Sequence, residues 1–377
     1  MNTKHPDILV VGGSLAGLTF ALASASRGVP VRIVERAQRR TLGGDNLNID
    51  LAAIARTVNC DPRADIKLPV VRAFRDRHLT TWPALYNWLR DRAGRMDGIT
   101  LNENRAVASV RSEEGRAIVT FSDGTSTIAD AVIGADGYHS LVRRSVSPEQ
   151  PLANYAGYLV WRGLIEESSL SSPVAWPTDG GLWIAFEQGY RLVAAVLPGR
   201  DGSLEIGRRQ VTFAWFDGRR DDLLRRTGCL DADHHVIGTL SAAAIGTEVR
   251  EELAALVPKL WPTHWAEAVE FGVRSPGLMR GAPIAEYRPE RLVAGPLAII
   301  GDAAHGVSPM TGSGYATAVD DAFVLATMLA ERDATEPLAD LLTRYERERL
   351  PYARGLVNHS RRLSAEFNDY VASWSER

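Results

Sequence analysis

Short apolar runs ending in glycine or an acid recur at three widely separated places in the chain. Ile8-Leu9-Val10-Val11 leads into Gly12-Gly13-Ser14-Leu15-Ala16-Gly17. Ala131-Val132-Ile133 leads into Gly134-Ala135-Asp136-Gly137, and Ala298-Ile299-Ile300 into Gly301-Asp302-Ala303-Ala304-His305. Uninterrupted runs of this length predict strands buried on both faces. A further one, Val31–Val34, ends in Glu35-Arg36. Helical spacing predicts a helix from near Leu15, another over Leu51 to Val58, and a clearer one from Trp82 to Ala93 with Leu85, Trp88 and Leu89 on one face. Gly43-Gly44-Asp45-Asn46 reads as irregular. A hairpin is predicted where Ala117–Phe121 and Thr125–Ala131 flank the turn Ser122-Asp123-Gly124.

From Tyr158 to about Phe271 the pattern changes to strands, including Leu182–Phe186, Arg191–Leu197 and Gln210–Phe216, with a helical interlude at Val249–Leu256. The alanine-rich run Tyr315–Leu329 then reads as a helix, and the chain is expected to end in helices broken at Pro351. The fold class is therefore α/β. A Rossmann-like nucleotide-binding domain, discontinuous in sequence, spans 1–152 and 275–345. A β-rich, mixed-sheet domain is inserted at 153–274, and a C-terminal helical segment occupies 346–377. No internal repeat and no low-complexity tract interrupts this plan.

The first motif has the chemistry of a strand, a tight turn and a helix N-terminus, where unpaired N–H groups and the helix dipole hold a pyrophosphate. Gly12 permits the turn, and Gly17 lets the helix pack close to the strand. Glu35 ends the second strand, where a carboxylate accepts both hydroxyls of an adenosine ribose that lacks a 2′-phosphate. The middle glycine of the fingerprint is replaced by Ser14, whose hydroxyl either donates to a phosphate or holds it slightly further away. Asp136 and Asp302 should both lie at the carboxyl ends of buried strands, where open α/β sheets bind ligands. Asp302 also has the alternative of capping the helix that follows it. Past Pro309, Gly312-Ser313-Gly314 opens a second helix N-terminus toward whatever this loop faces, a setting that suits the electron-rich end of a reduced flavin.

Length and composition are compatible with two domains: 377 residues, 45% hydrophobic, net charge −3. The arginine pairs at 208–209, 219–220 and 225–226 are diluted by Asp217, Asp221 and Asp222, which argues against a nucleic-acid surface. Cys60 and Cys229 lack the spacing of a redox pair or a metal site and are expected to be isolated reduced thiols. No apolar stretch approaches the ~18–20 residues of a membrane span. The first strand begins within a few residues of Met1, leaving no room for a leader, so a cytoplasmic protein is expected. A homodimer is one assembly open to it.

In combination, the three motifs resemble those of the flavin-dependent aromatic hydroxylases, the single-component monooxygenases related to p-hydroxybenzoate hydroxylase, over most of the chain. The resemblance implies that the first motif binds the ADP half of a non-covalent FAD. It also places the Asp136 motif near the pyrophosphate, makes Asp302 the ligand of the ribityl chain, and sets Pro309 beside the flavin where oxygen reacts. By the same match Gly301 and Gly312-Ser313-Gly314 belong to the cofactor site. Tyr155–Gly163, Leu197-Pro198-Gly199 and Gly207–Phe216 are similar to segments of the 2,6-dihydroxypyridine 3-hydroxylase group. Two departures concern the flavin's contacts. Thr80-Thr81-Trp82 stands where many members carry an arginine, and Ser313 stands where the common pattern has glutamine.

The activity implied by the resemblance passes hydride from NADH or NADPH to FAD, after which reduced flavin captures O2 and delivers one oxygen atom to an electron-rich aromatic or N-heteroaromatic ring. No second strand–glycine-turn–helix unit occurs between 150 and 290, so the reductant must reach the flavin without a domain of its own. Candidate substrate contacts are Trp161, Arg162, Trp183, Tyr190 and Trp215, with His305 as a proton shuttle. Tryptophans on strands are more often packed core than ligand platform, while Arg162 is equally readable as a salt-bridge partner and His305 as structural. An FAD-dependent dehydrogenase or reductase, and a non-catalytic FAD-binding protein, share the cofactor motifs.

Overall fold

The computed structural model describes residues 5–38, 46–73, 77–174 and 181–375. The irregular Gly43-Gly44-Asp45 lies outside the described residues, while Asn46 opens a strand. Four sheets form among the described residues. The first runs in the order β17 (Val293–Ala294), β18 (Leu297–Ile299), β10 (Ala131–Gly134), β1 (Ile8–Val11), β2 (Val31–Val34) and β6 (Ile99–Asn102). All neighbours from β18 to β6 are parallel, and only the edge pair β17·β18 is antiparallel. Every residue of β1 and β10 is buried, as expected of strands covered on both faces. The apolar runs thus form the centre of one parallel sheet.

Around this sheet, α1 (Leu15–Ala25) packs on α9 (Gly314–Ala330) and on α3 (Trp82–Ala93), while α2 (Leu51–Thr57) packs on both α9 and α1. A small sheet of β3 (Asn46–Ile49), β5 (His78–Thr81) and β4 (Val71–Arg72) lies beside them. The predicted hairpin is present as β8 (Arg116–Phe121) and β9 (Ser126–Ala129), with β7 (Val107–Glu113) as a third strand. The chain then crosses directly into β10, and α4 (Leu141–Val146) follows the second motif.

The second large sheet is antiparallel, ordered β12 (Leu182–Glu187), β13 (Tyr190–Leu197), β14 (Gln210–Asp217), β11 (Ala153–Glu166) and β15 (His235–Val236). Here β16 (Met279–Glu286) also pairs with β11. The expected boundary at 274/275 therefore falls before the last strand of this sheet, not after it. A strand joins the sheet whose edge it can pair with, and no local feature of the sequence reports that partner. One sheet face carries Leu159, Trp161, Ile165, Leu192, Phe213 and Trp215, packed against α6 (Thr247–Leu260) and α7 (Thr263–Arg274). The helical interlude is thus two helices. The chain turns through α5 (Asp221–Arg226) on its way to them.

The expected break at Pro351 does not occur, because α10 runs unbroken from Leu338 to Ser375. Proline in a helix removes one hydrogen bond. Pro351 is on the exposed side, while Leu341, Leu342 and Tyr345 before it and Ala353 and Val357 after it are buried, so packing holds both halves in line. No helix among the described residues is long and apolar enough to cross a membrane.

Candidate functional site

The parallel register brings the three motifs to one place. Val11 pairs with Val34 and with Gly134, and Gly134 pairs with Ile299, so the four adjacent strands end level with one another. Gly12, Glu35, Asp136 and Asp302 follow those ends directly. The order of the strands makes β1 the switch point, the position at which open α/β sheets take ligands.

At the first motif Gly12 has φ +106°, and a Cβ there would lie 2.4 Å from the Ala135 carbonyl oxygen. A Cβ on Gly17 would lie 1.9 Å from the Gly12 carbonyl oxygen, so the turn and α1 are in direct backbone contact. Ser14 occupies the N-cap of α1, but its side chain makes no capping bond and the first turn has no acid. The leading N–H groups of α1 therefore have no side-chain cap. Leu15 is buried, and Ala16 is met by the third motif: a Cβ on Gly301 would sit 2.9 Å from the Ala16 Cβ. Glu35 is buried and accepts from the Gly13 N–H at 2.8 Å and the Ala37 N–H at 3.0 Å. It thereby braces the turn, and Arg36 beside it is exposed.

Asp136 uses its carboxylate within its own loop, accepting from Ser140 Oγ at 2.5 Å and from the Leu141 and Val142 N–H groups at 2.7 and 3.2 Å. Burial pushes its pKa up, against the lowering by those donors. Its effect on the site is to hold the second motif closed. A residue the sequence reading missed joins this motif to the third. The Arg143 guanidinium is fully buried, donates to the carbonyls of Tyr138 (2.5 Å), Pro151 (3.0 Å) and Ala303 (3.2 Å), and lies 4.2 Å from the Tyr287 ring centroid. Only its position seven residues after Asp136 signals it in the sequence.

In the third motif Gly301 takes φ +60° and Asp302 opens α8 (Asp302–His305). Asp302 is open to solvent at its own surface, yet protein surrounds it closely enough that desolvation pushes its pKa up, with His305, Arg162 and Arg143 pulling the other way. A group both accessible and crowded lines a cleft. None of the described residues donates a hydrogen bond to this carboxylate. The loop that follows returns to this carboxylate, since a Cβ on Gly314 would lie 4.0 Å from Asp302 Oδ1; Pro309 is exposed on its short turn Pro309–Thr311, and Gly312 ends that turn in the left-handed region at φ +58°. Ser313 Oγ donates back to the Thr311 carbonyl, and the N-terminus of α9 at Gly314 has no side-chain cap. The Asn48 amide lies 3.5 Å from where a Gly312 Cβ would be, and its Oδ1 is buried without a partner. An unpartnered carboxylate, an orphan amide oxygen and two helix starts without side-chain caps on one cleft fit a dinucleotide with a polar chain between its halves.

The expected substrate residues separate. Trp161, Trp215 and Tyr190 are buried in the α6/α7 core, and Trp183 packs against Trp261 and Trp265 in the same core. These four do not face the cleft, because side chains alternate along a strand and theirs point to the helix-covered face. His305 is also removed from a shuttle role. It is fully buried, its Nε2 is 2.6 Å from Asp321 Oδ2, and Arg349 Nε bonds the other carboxylate oxygen at 2.9 Å. The ion pair raises the His305 pKa and lowers that of Asp321. Arg162 alone of the set is on the cleft face, within electrostatic reach of Asp302.

That face carries three cross-strand rows. Leu182–Ala195–Thr212–Leu164 lies next to Val71 and Leu79 of the small sheet, and Phe186–Arg191–Phe216–Val160 lies next to Phe367, Tyr370 and Val371 of α10. The middle row, Ile184–Val193–Ala214–Arg162, is only partly covered. It offers an apolar floor that ends at a cation near Asp302.

Comparison with known proteins agrees with this geometry. Residues 254–360 match a family described as an FAD binding domain, and residues 155–270 one described as FAD binding domain-like. The chain is 30% identical to 3-amino-4-hydroxybenzoate 2-monooxygenase of Streptomyces cremeus, covering 96% of this chain and 87% of that protein. It is 25% identical to 2,6-dihydroxypyridine 3-monooxygenase of Paenarthrobacter nicotinovorans, over 97% and 92%. Among solved structures, 2,6-dihydroxypyridine-3-hydroxylase from Arthrobacter nicotinovorans superposes with a TM-score of 0.78 at 22% identity, covering 97% of this chain and 93% of that one. Klebsiella pneumoniae HpxO complexed with FAD and uric acid gives 0.71 at 22% identity, over 99% and 92%.

Proposed function

The chain belongs to the FAD-dependent aromatic hydroxylases, and on that footing we propose that it hydroxylates a small electron-rich ring, hydroxypyridine-like or phenol-like, held on the Ile184–Val193–Ala214–Arg162 row. The observation that carries the reading is Asp302, a desolvated carboxylate without a donor among the described residues, set just past the end of a parallel strand and within electrostatic reach of Arg162 in that row. FAD, when bound, accepts hydride from NADH or NADPH and activates O2. The remaining work belongs to the protein.

In this reading the α1 N-terminus holds the pyrophosphate and Glu35 the adenosine ribose. Asp302 accepts from the ribityl hydroxyls, and the Gly312-Ser313-Gly314 segment lines the ring system with Asn48 beside it. Asp136 and Arg143 act as positioning residues, tying the second motif to the third. Val193 and Ala214 present a flat apolar surface to the substrate ring, displacing water from it. Arg162 sits where a deprotonated ring oxygen or nitrogen would gain from a nearby cation. We place the reaction in the cytoplasm, where reduced NAD(P)H is available.

The test is a panel of hydroxylated pyridines, phenols and aminohydroxybenzoates, with NAD(P)H oxidation and product mass followed together under labelled O2. The correct ring should accelerate anaerobic flavin bleaching by at least about tenfold, ~1.4 kcal/mol of barrier. A product without oxygen from O2 would support the dehydrogenase reading instead.

A further inference from the structure

A ring of buried polar groups ties the loop of the third motif to the inserted sheet and to α10. Tyr158 of β11 donates from its hydroxyl to Ser308 Oγ at 2.6 Å. The Ser308 N–H donates to Ser360 Oγ at 2.8 Å. Ser360 and Ser364, one turn apart on α10, both donate to Glu286 Oε1 of β16, at 2.5 and 2.9 Å. Ser364 Oγ closes the ring, 3.0 Å from the Tyr158 hydroxyl. All five residues are buried.

Ser308 heads the Pro309–Thr311 turn and is held at every polar atom. Its Oγ accepts from the Met310 N–H at 3.1 Å as well as from Tyr158, and its carbonyl accepts from Thr311 Oγ1 at 3.0 Å. The turn runs on into Gly312-Ser313-Gly314, where a Gly314 Cβ would lie 4.0 Å from Asp302 Oδ1. The Tyr158 ring lies 5.9 Å from the Phe216 centroid and 5.0 Å from that of Phe367. Phe216 belongs to the row that borders the proposed floor of Val193 and Ala214. One side chain therefore touches both the substrate sheet and the loop of the cofactor cleft. Burial pushes its phenol up to about 12, so it keeps its proton and donates. Apolar side chains of the same volume would fill this space at no greater cost. What a satisfied polar network adds is rigidity and a single geometry.

We infer that Tyr158 is a positioning residue for oxygen transfer, fixing through Ser308 where the Pro309 turn stands relative to the substrate sheet. This rests on the proposed ring site. A loosened turn misaligns the ring with the cofactor and admits water. NAD(P)H, a proton and O2 then yield NAD(P)+ and H2O2 in place of hydroxylated product and water.

The test is Tyr158→Phe, which deletes the hydroxyl and keeps the ring contacts. Its matched control is Tyr155→Phe on the same strand, where the lost bond runs to Asp221 Oδ1 at 3.1 Å. Three quantities are read on the FAD-loaded proteins: FAD Kd, the shape of the flavin's visible absorption band with no other ligand, and the ratio of labelled product to H2O2. The probes are 2,6-dihydroxypyridine and resorcinol, with labelled O2. Tyr158→Phe should bind FAD as the parent does, alter the band, and lower the ratio by roughly 10- to 100-fold, the cost of a small misplacement at a reacting centre. Ser308→Ala should do the same, and it decides the question if Tyr158→Phe does not fold. The double variant should be no worse than Ser308→Ala, because both changes remove one interaction. Tyr155→Phe should keep the parental band and ratio. A Tyr158→Phe protein that melts lower with band and ratio unchanged overturns the inference, as does a double variant whose losses add. A parent stimulated by neither probe counts against the ring site, and the ligand-free band then decides the Tyr158 role by itself.

Discussion

Asp302→Asn should move stability and cofactor affinity in opposite directions. The Asp302 carboxylate is crowded by protein and receives no hydrogen bond from the described residues, and its pKa is raised by desolvation. A folded pKa above the unfolded value means the folded state binds the proton more tightly. Stability therefore falls as pH rises through the unfolded carboxylate value toward the folded one, and the full cost is present above the folded value. The amide substitution removes that charge while keeping the shape. The variant without FAD should accordingly melt no lower than the parent at pH 7, and any gain should vanish under acid conditions where the parent carboxylate is protonated. FAD affinity should fall, because hydroxyl donors to an anion are worth roughly 1.5–3 kcal/mol each, about 10- to 150-fold in Kd per bond. The assay pairs thermal melts of stripped protein across pH with FAD titration by fluorescence quenching. An Asp302→Asn variant that loses stability and keeps parental FAD affinity would make the residue a structural helix cap and refute the reasoning.

Gly17→Ala places a Cβ 1.9 Å from the Gly12 carbonyl oxygen, against backbone that cannot rotate away. It should cost about 1–3 kcal/mol or more and empty the site of FAD, whereas Gly355→Ala in α10, which meets nothing within 4 Å, should keep it; the ratio of flavin to protein absorbance reads both. Asp321→Ala strands His305 and Arg349 in the interior and should destabilise by about 3–5 kcal/mol in denaturant titration. Because the pair raises the His305 pKa, its stabilisation is complete below the unfolded histidine value near 6.5 and should be lost as pH rises through the folded one. In Asp321→Ala that slope of melting temperature with pH should flatten. Ala214→Phe should block the proposed ring site, abolishing substrate-stimulated NAD(P)H oxidation with FAD retained, while Trp215→Phe on the opposite face should lower melting temperature without changing which ring stimulates.

The cofactor half of this protein was legible because its chemistry is local. A strand, a turn and a helix start occupy consecutive residues, so the tight turn at Gly12 and the close packing at Gly17 announce themselves through spacing alone, and the buried runs at β1, β2, β10 and β18 identify themselves by length and apolarity. Even the convergence of three distant motifs followed from a rule, since parallel strands of one sheet share their carboxyl ends.

The substrate half depends on facts that spacing does not carry. Alternation along β11 and β14 separates two faces, but whether Trp161 or Arg162 looks into the cleft is decided by which face α6 and α7 cover, and those helices arrive about a hundred residues later. The same long-range packing draws β16 into the inserted sheet and carries α10 straight through Pro351. It also determines that Arg143 and His305 find their acceptors. Burial and partner are properties of the assembled fold, because they depend on what lies across a gap and not along the chain.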